Sequence, residues 1–313
     1  WGNPDWSEWA LFQQFRAQSE LTCRIFARLP LIDWDRRRID IPAFLTGDAA
    51  DPWLRFGGLK GFTDGSLGGH TAYFFDPYND APDNFGLLLP DMFPAGAMEQ
   101  RIREADQAGI PVSIHAIGDK ANSILLDIFE SVAGHNGPRD RRLRIEHAQH
   151  LRQSDIERMG RLGVIASVQP AHLIDDGGWA ERSLGVGRCQ LTYPFRSLIE
   201  AGVRLAGGSD WPVAELSPLL AIHAAVNRET ADGQFPGGWN PQQKLSVDQA
   251  IAAFTSGAAY AEFAEAEKGS LTPGKFADLV VLSDDPFQVD TACIKEIKVL
   301  QTIAGGQSVF ERN

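Results

Sequence analysis

Leu143-Arg-Ile-Glu-His147-Ala-Gln-His150 decides how the rest of the chain is read. A short apolar run predicts a strand, a histidine falls at its end, and a polar turn leads into helical spacing from Gln153. Pro111-Val-Ser-Ile-His115-Ala-Ile-Gly-Asp119, one strand–helix unit upstream, has the same form. Gly202-Val-Arg-Leu-Ala-Gly-Gly-Ser-Asp210, downstream, ends in a carboxylate instead. Three strand ends, each carrying a group able to bind a metal, point to a metallohydrolase built on parallel strands.

The alternation continues on both sides. Helical spacing covers 98–108, 119–132, 153–162 and 218–227, with a helix closing over 197–201. Buried strands are predicted at 110–115, 143–146, 164–169 and 203–206, and glycines at 109, 163 and 202 mark where a helix hands over to a strand. Helix, glycine, apolar strand, repeated in this way, is the pattern of an α/β protein with a parallel sheet. No GxGxxG follows a strand and no GxxxxGK[ST] occurs, which favours a barrel over a doubly wound sheet. Upstream, a helix is predicted over 6–20, a strand over 21–28, a short helix and loop over 31–55, and a strand over 56–60. Residues 67–95 have no period, and their aromatics either line a pocket or pack the loop down. Residues 247–264 read as one long helix. Beyond 266 the texture becomes all-β, with a buried strand at 279–282 and a hairpin across Gly305-Gly306.

Composition narrows the function. The chain has 313 residues, 43% hydrophobic and 22% charged, with 31 Gly and 18 Pro, as in a globular protein with many tight connections. A net charge of -12 leaves no basic surface to displace counterions from nucleic acid and no attraction to an anionic membrane. Cys23, Cys189 and Cys293 are far apart and form no CxxC, so reduced thiols are expected. The chain opens on a polar, Trp-rich segment and holds no apolar run of membrane length, which sets the expectation of a cytoplasmic protein. It does not begin with Met, and a longer parent protein is the expectation. A small-molecule substrate is the expected partner, and a homo-oligomer is left open.

In a parallel barrel the C-terminal strand ends face one mouth, so His115, His147 and Asp210 would converge. Imidazole and carboxylate suit zinc and similar divalent ions, one or two in number. Asp210 can also act as a base toward a cation-activated water and return the proton to the leaving group. The plainer reading of Asp210 is a cap, in Ser209-Asp210-Trp-Pro212. Lys60 is either a surface lysine at a strand edge or an inward one. For the remaining histidines, His70, His135, His150, His172 and His223, the structural reading leads, with substrate contact the other reading of His70 and His172.

Taken together, these stretches resemble the amidohydrolase superfamily and its amidohydrolase-3 branch, the YtcJ-like and formamide-deformylase-like proteins. The resemblance rests on Leu59-Lys60-Gly-Phe-Thr-Asp64-Gly-Ser66, Ser113-Ile-His115-Ala-Ile-Gly-Asp119, Arg144-Ile-Glu146-His147-Ala, Ser167-Val-Gln169-Pro170, Gly207-Gly-Ser209-Asp210-Trp-Pro212 and Gly269-Ser-Leu-Thr-Pro-Gly274-Lys-Phe-Ala-Asp278. It implies a (β/α)8 TIM-type barrel over 1–266, whole or incomplete at its N-terminus. Residues 267–313 would then be the C-terminal part of a small β-sandwich. It also implies Lys60, His115, His147 and Asp210 as metal ligands, with Lys60 open to carboxylation. Asp210 and His147 are the implied catalytic groups, with substrate contacts expected at Asp64, His70, Gln169 and Trp211. The implied reaction is hydrolysis of a non-peptide C–N bond, amide or formamide, by a metal-activated water.

The family's first-strand His-x-His pair is missing, since no His-x-His occurs among the seven histidines. The chain therefore resembles a member without its N-terminal portion. The alternative is a silent fragment or binding protein that keeps the barrel and not the chemistry. A third reading, an unrelated α/β enzyme with a histidine general base, needs no metal.

Overall fold

The computed structural model describes residues 4–41 and 51–312. They form two compact units, one of Trp1–Phe75 with Gly86–Glu146, the other of Asp76–Phe85 with His147–Asn313.

In the first unit a helix Trp6–Ala17 starts on a capping box, in which the Asp5 carboxylate accepts from the Ser7 and Glu8 amides and Glu8 reaches back to the Asp5 N–H. Four strands follow side by side in chain order: β1 (Ile25–Pro30), β2 (Leu54–Phe62), β3 (Val112–Ala116) and β4 (Arg144–His147). Where the registers are defined, β1 with β2 and β2 with β3, they run parallel. Helices Ala97–Gln107 and Asp119–Asn136 make the crossovers before and after β3. The β1 register slips between Ala27 and Arg28, so Gly57 is the extra residue of a bulge. Gly58 beside it has φ +117°, and a Cβ there would lie 2.1 Å from the Pro111 carbonyl oxygen. Only glycine lets β2 bend this closely against the start of β3. The strand expected over 21–28 is displaced to Ile25–Pro30. The short helix expected within 31–55 is present at Trp34–Arg37, and residues 42–50 of that stretch lie outside the described residues.

In the second unit β5 (Ile165–Val168) and β6 (Leu205–Gly207) pair in parallel, Ala166 against Leu205 and Val168 against Gly207. Helix Gln153–Leu162 precedes β5, and helix Phe195–Glu200 precedes β6. Between them lie three short helices, His172–Asp176, Ala180–Leu184 and Val186–Cys189, interrupted at Gly177-Gly178 and Gly185. Each is too short to show an apolar period, which is why the sequence does not display them. Strands β7 (Leu279–Leu282), β8 (Val299–Ala304) and β9 (Gln307–Glu311) form a separate antiparallel sheet. The expected hairpin turns on Gly305 and Gly306, at φ +59° and +80°, as a type I′ turn requires.

The single helix expected over 247–264 is interrupted. Residues Val247–Ala252 and Ala258–Ala261 are α-helical, and Ala253–Gly257 between them is a π-turn. Thr255 and Ser256 return their hydroxyls to the carbonyls four residues back, Ile251 at 2.7 Å and Ala252 at 3.4 Å, which widens the turn. The widened turn lies on β6. A Cβ on Gly257 would meet the Leu205 carbonyl oxygen at 2.1 Å, and one on Gly207 would meet the Phe254 ring at 2.6 Å. Ile165, Ala206 and Ala261 close the core beneath it, with Tyr260 against them. Among the described residues, no helix is long and apolar enough to cross a membrane.

The two glycines differ in what a methyl group would strike. Gly257→Ala pushes on a strand carbonyl and should cost about 1–3 kcal/mol. Gly207→Ala pushes on a ring that can rotate and should cost less. Urea unfolding midpoints of the two variants against the parent would show this order.

Candidate metal centre

In the first unit β2 and β3 align Lys60 with Ser113 and Phe62 with His115. Paired residues in parallel strands point to one face, so these four side chains share it. Lys60 is buried at 6% exposure, which is the inward orientation, and its amine lies 4.6 Å from the centre of the Phe62 ring. His115 is also buried. Its Nε2 lies 3.0 Å from the Gly65 carbonyl oxygen, so Nε2 carries the proton. Burial, and after it the charge of Lys60, push the His115 pKa down to about 3.

Asp64 is fully buried, and burial raises its pKa to about 7 against the pull of the amides it accepts from. Those amides are Tyr73 at 2.8 Å, Ile117 at 3.0 Å and Gly118 at 2.8 Å. The 3.5 Å approach of His115 Nε2 to Asp64 is therefore not an ion pair, because burial works against charge on both groups. Asp64 joins the loop after β2 to the start of helix Asp119–Asn136, where the Lys120 and Ala121 amides donate to the Tyr73 carbonyl. His70 sits in that loop at φ +50°, half-buried.

The second unit holds a cluster of donors. His147, His172 and Asp210 each offer a ligand atom, and these atoms all lie within 4.8 Å of one another. Three separate connections bring them together. His147 ends β4 with φ +77°, followed by Ala148 at +45°. His172 opens the first short helix after β5. Asp210 follows β6 with φ +57°. The two imidazoles lie near-parallel, centroids 6.0 Å apart at 26°.

His172 carries the clearest mark of a ligand position. Its Nε2 is buried with no hydrogen-bond partner. Burial holds its pKa below the ordinary histidine value, and a hydrogen bond to the Ser209 backbone opposes this. That bond must come from Nδ1–H, which leaves the Nε2 lone pair available to a cation. A neutral imidazole is the form that binds a cation. Among the described residues, a two-imidazole, one-carboxylate set suits zinc and the neighbouring divalent ions.

Gln169 is buried and spends its amide on the Ser167 carbonyl at 3.1 Å. Trp211 is about half-exposed, at 51%, beside the solvent-exposed Asp210. His172, which the sequence does not single out as a ligand, joins His147 and Asp210. Lys60, Asp64 and His115 belong to the other unit. The loop aromatics divide, with Phe74 and Tyr78 fully packed and Phe75, Phe85 and Phe93 exposed.

The family profile described as the amidohydrolase family matches residues 4–310, and the chain belongs to that family. It is 40% identical to Protein LONG AFTER FAR-RED 3 of Arabidopsis thaliana over 99% of this chain and 52% of that protein. It is 33% identical to N-substituted formamide deformylase of Arthrobacter pascens over 66% of this chain and 38% of that protein. The chain thus spans about half the length, or less, of these curated relatives. An uncharacterized metal-dependent hydrolase of Pyrococcus horikoshii OT3 superposes with a TM-score of 0.79 at 29% identity, over 93% of this chain and 56% of that one. The strand–helix repeats are accordingly those of an α/β, TIM-type barrel, with the small antiparallel sheet of β7–β9 beside them in sequence.

His150, near the cluster in sequence, gives a pH test of the surrounding core. It is buried at 3% exposure, with Nδ1 2.8 Å from the Thr192 hydroxyl. Burial pushes its pKa down to about 3 from 6.5. Below pH 6.5 the unfolded chain takes a proton that the folded chain refuses, so stability falls as pH drops through that window. His150→Asn should flatten the fall by at most about 1.4 kcal/mol per pH unit. Urea midpoints at pH 7.5 and pH 5 would show a narrower gap in the variant.

Proposed function

We propose that the chain carries the metal centre of a zinc-dependent, cytoplasmic hydrolase that cleaves a non-peptide C–N bond, amide or formamide. The observation that carries this reading is the convergence of His147, His172 and Asp210, with the His172 Nε2 buried and lacking a partner. Family membership and the deformylase relative support the bond type. A divalent cation held there supplies Lewis acidity and lowers the pKa of a coordinated water.

The chain's own residues do the rest. His147 and His172 present ring nitrogens from two different connections. Asp210 is the one exposed member of the set, so its carboxylate can reach a water and a substrate. It takes the proton of the attacking water and returns it to the departing nitrogen. Trp211, next in sequence, offers an apolar surface to the substrate. Lys60 and His115, buried on one face of β2 and β3, are proposed as further ligands, with residues 1–266 as the barrel and 267–313 as the small β domain.

A metal-binding protein without turnover is the second reading, favoured by the absence of a His-x-His pair from the sequence. Metal content by mass spectrometry and hydrolysis of N-substituted formamides, with and without chelator, test both. His147→Ala and His172→Ala should each lower bound zinc. Asp210→Asn should lower turnover by about 10²–10⁴-fold. A folded chain that takes up no zinc rules out both readings, and zinc uptake without hydrolysis selects the second.

A further inference from the structure

A carboxylate outside the donor cluster links the segments that carry His147 and His172. Asp176 lies one helical turn after His172, at the end of helix His172–Asp176. Its Oδ2 accepts two hydrogen bonds, from the Tyr193 hydroxyl at 2.7 Å and from the Gln149 side-chain amide at 2.9 Å. Gln149 is two residues after His147. Its backbone carbonyl accepts from the Tyr193 N–H at 2.7 Å, so Gln149 is held at both its side chain and its main chain. Its second amide hydrogen faces His150 Nε2 at 3.1 Å, and His150 Nδ1 then donates to Thr192. Asp176 therefore ties the turn that carries His147 to the helix that carries His172.

The other side of this network is equally closed. Arg228 is fully buried and donates to the carbonyls of Tyr193 at 3.0 Å, Thr192 at 3.3 Å and Trp239. It anchors the segment from which Tyr193 reaches Asp176. Four non-glycine residues here have left-handed backbones: His147 (+77°), Ala148 (+45°), Tyr193 (+49°) and Arg228 (+56°). Such conformations persist only where surrounding contacts over-determine them, and they collect at functional sites.

We propose that Asp176, held by Tyr193 and Gln149, is a positioning residue that sets the separation of the His147 and His172 imidazoles and so the affinity of the cluster for a divalent cation. This rests on the reading of His147, His172 and Asp210 as a metal centre. Partners of this kind, once removed from behind metal ligands, weaken metal affinity about 10–100-fold.

The test is zinc affinity of the full chain, by competition with a chromophoric chelator, in Asp176→Asn and Tyr193→Phe, with His172→Ala as the ligand control. Far-UV circular dichroism and melting of the metal-free proteins report folding separately. Tyr193→Phe removes a single hydroxyl, so it carries the test if Asp176→Asn does not fold. The expected result is zinc binding weakened about 10–100-fold in the folded variants, with altered visible absorption bands of bound cobalt(II), which report ligand geometry. Parent-like zinc affinity and cobalt spectra in folded Tyr193→Phe overturn the proposal, even if its melting temperature falls. If His172→Ala also binds zinc as the parent does, or the parent binds none, the metal-centre reading fails and the positioning role falls with it. If only His172→Ala weakens binding, the centre stands and the role of Asp176 is rejected.

Discussion

A chain leaving the end of a parallel strand must turn sharply if the last side chain is to face the mouth of a barrel while the backbone proceeds to the next helix. At β4 this turn falls on His147 and Ala148, both left-handed and neither glycine. Each such residue costs roughly 1–2 kcal/mol. Glycine would remove that cost, but it has no imidazole to offer. What offsets the strain is the two-ended hold on Gln149 by Tyr193 and Asp176. The ligand position and the hydrogen bonds that support it are one construction.

The first unit solves the same problem differently. After β2 the chain turns through Thr63-Asp64-Gly65, and a buried carboxylate receiving three amides fixes the path. A buried carboxylate would be expensive if unpaired, and here backbone dipoles supply its partners. A residue following a strand end can thus be a structural hub, as at Asp64, or present a donor atom to a cluster, as at Asp210. Sequence position alone does not separate the two. Burial does, since Asp64 is wholly enclosed and Asp210 is exposed.

That distinction explains how much was legible beforehand. Within 97–207 the longer helices were readable because each carries a 3.6-residue apolar stripe, and the strands because each is a short buried run. Helices Gln153–Leu162 and Pro218–Asn227 have the expected limits. His147 and Asp210 were legible as strand-end residues. His172 was not legible as a ligand, because β5 ends at Val168 and the imidazole enters four residues later, on a helix too short to have a period. Asp176 carried no signal, since its partners Gln149 and Tyr193 are 27 and 17 residues away. The π-turn at Ala253–Gly257 was hidden because it answers to a contact with β6, which lies about fifty residues earlier in the chain.

The protonation of the buried histidines argues against His115 or His172 as a metal-free general base. A general base near neutral pH needs a pKa near 7. Burial instead holds His172 below its ordinary value and takes His115 and His150 down to about 3. Imidazoles kept neutral this firmly are weak proton acceptors, but their lone pairs stay available to a metal over a wide pH range. On the proposed reading the proton-handling role belongs to the exposed carboxylate, Asp210. The cluster sets one buried and one half-buried imidazole beside an exposed carboxylate, and on the proposed reading solvent access divides ligand from base.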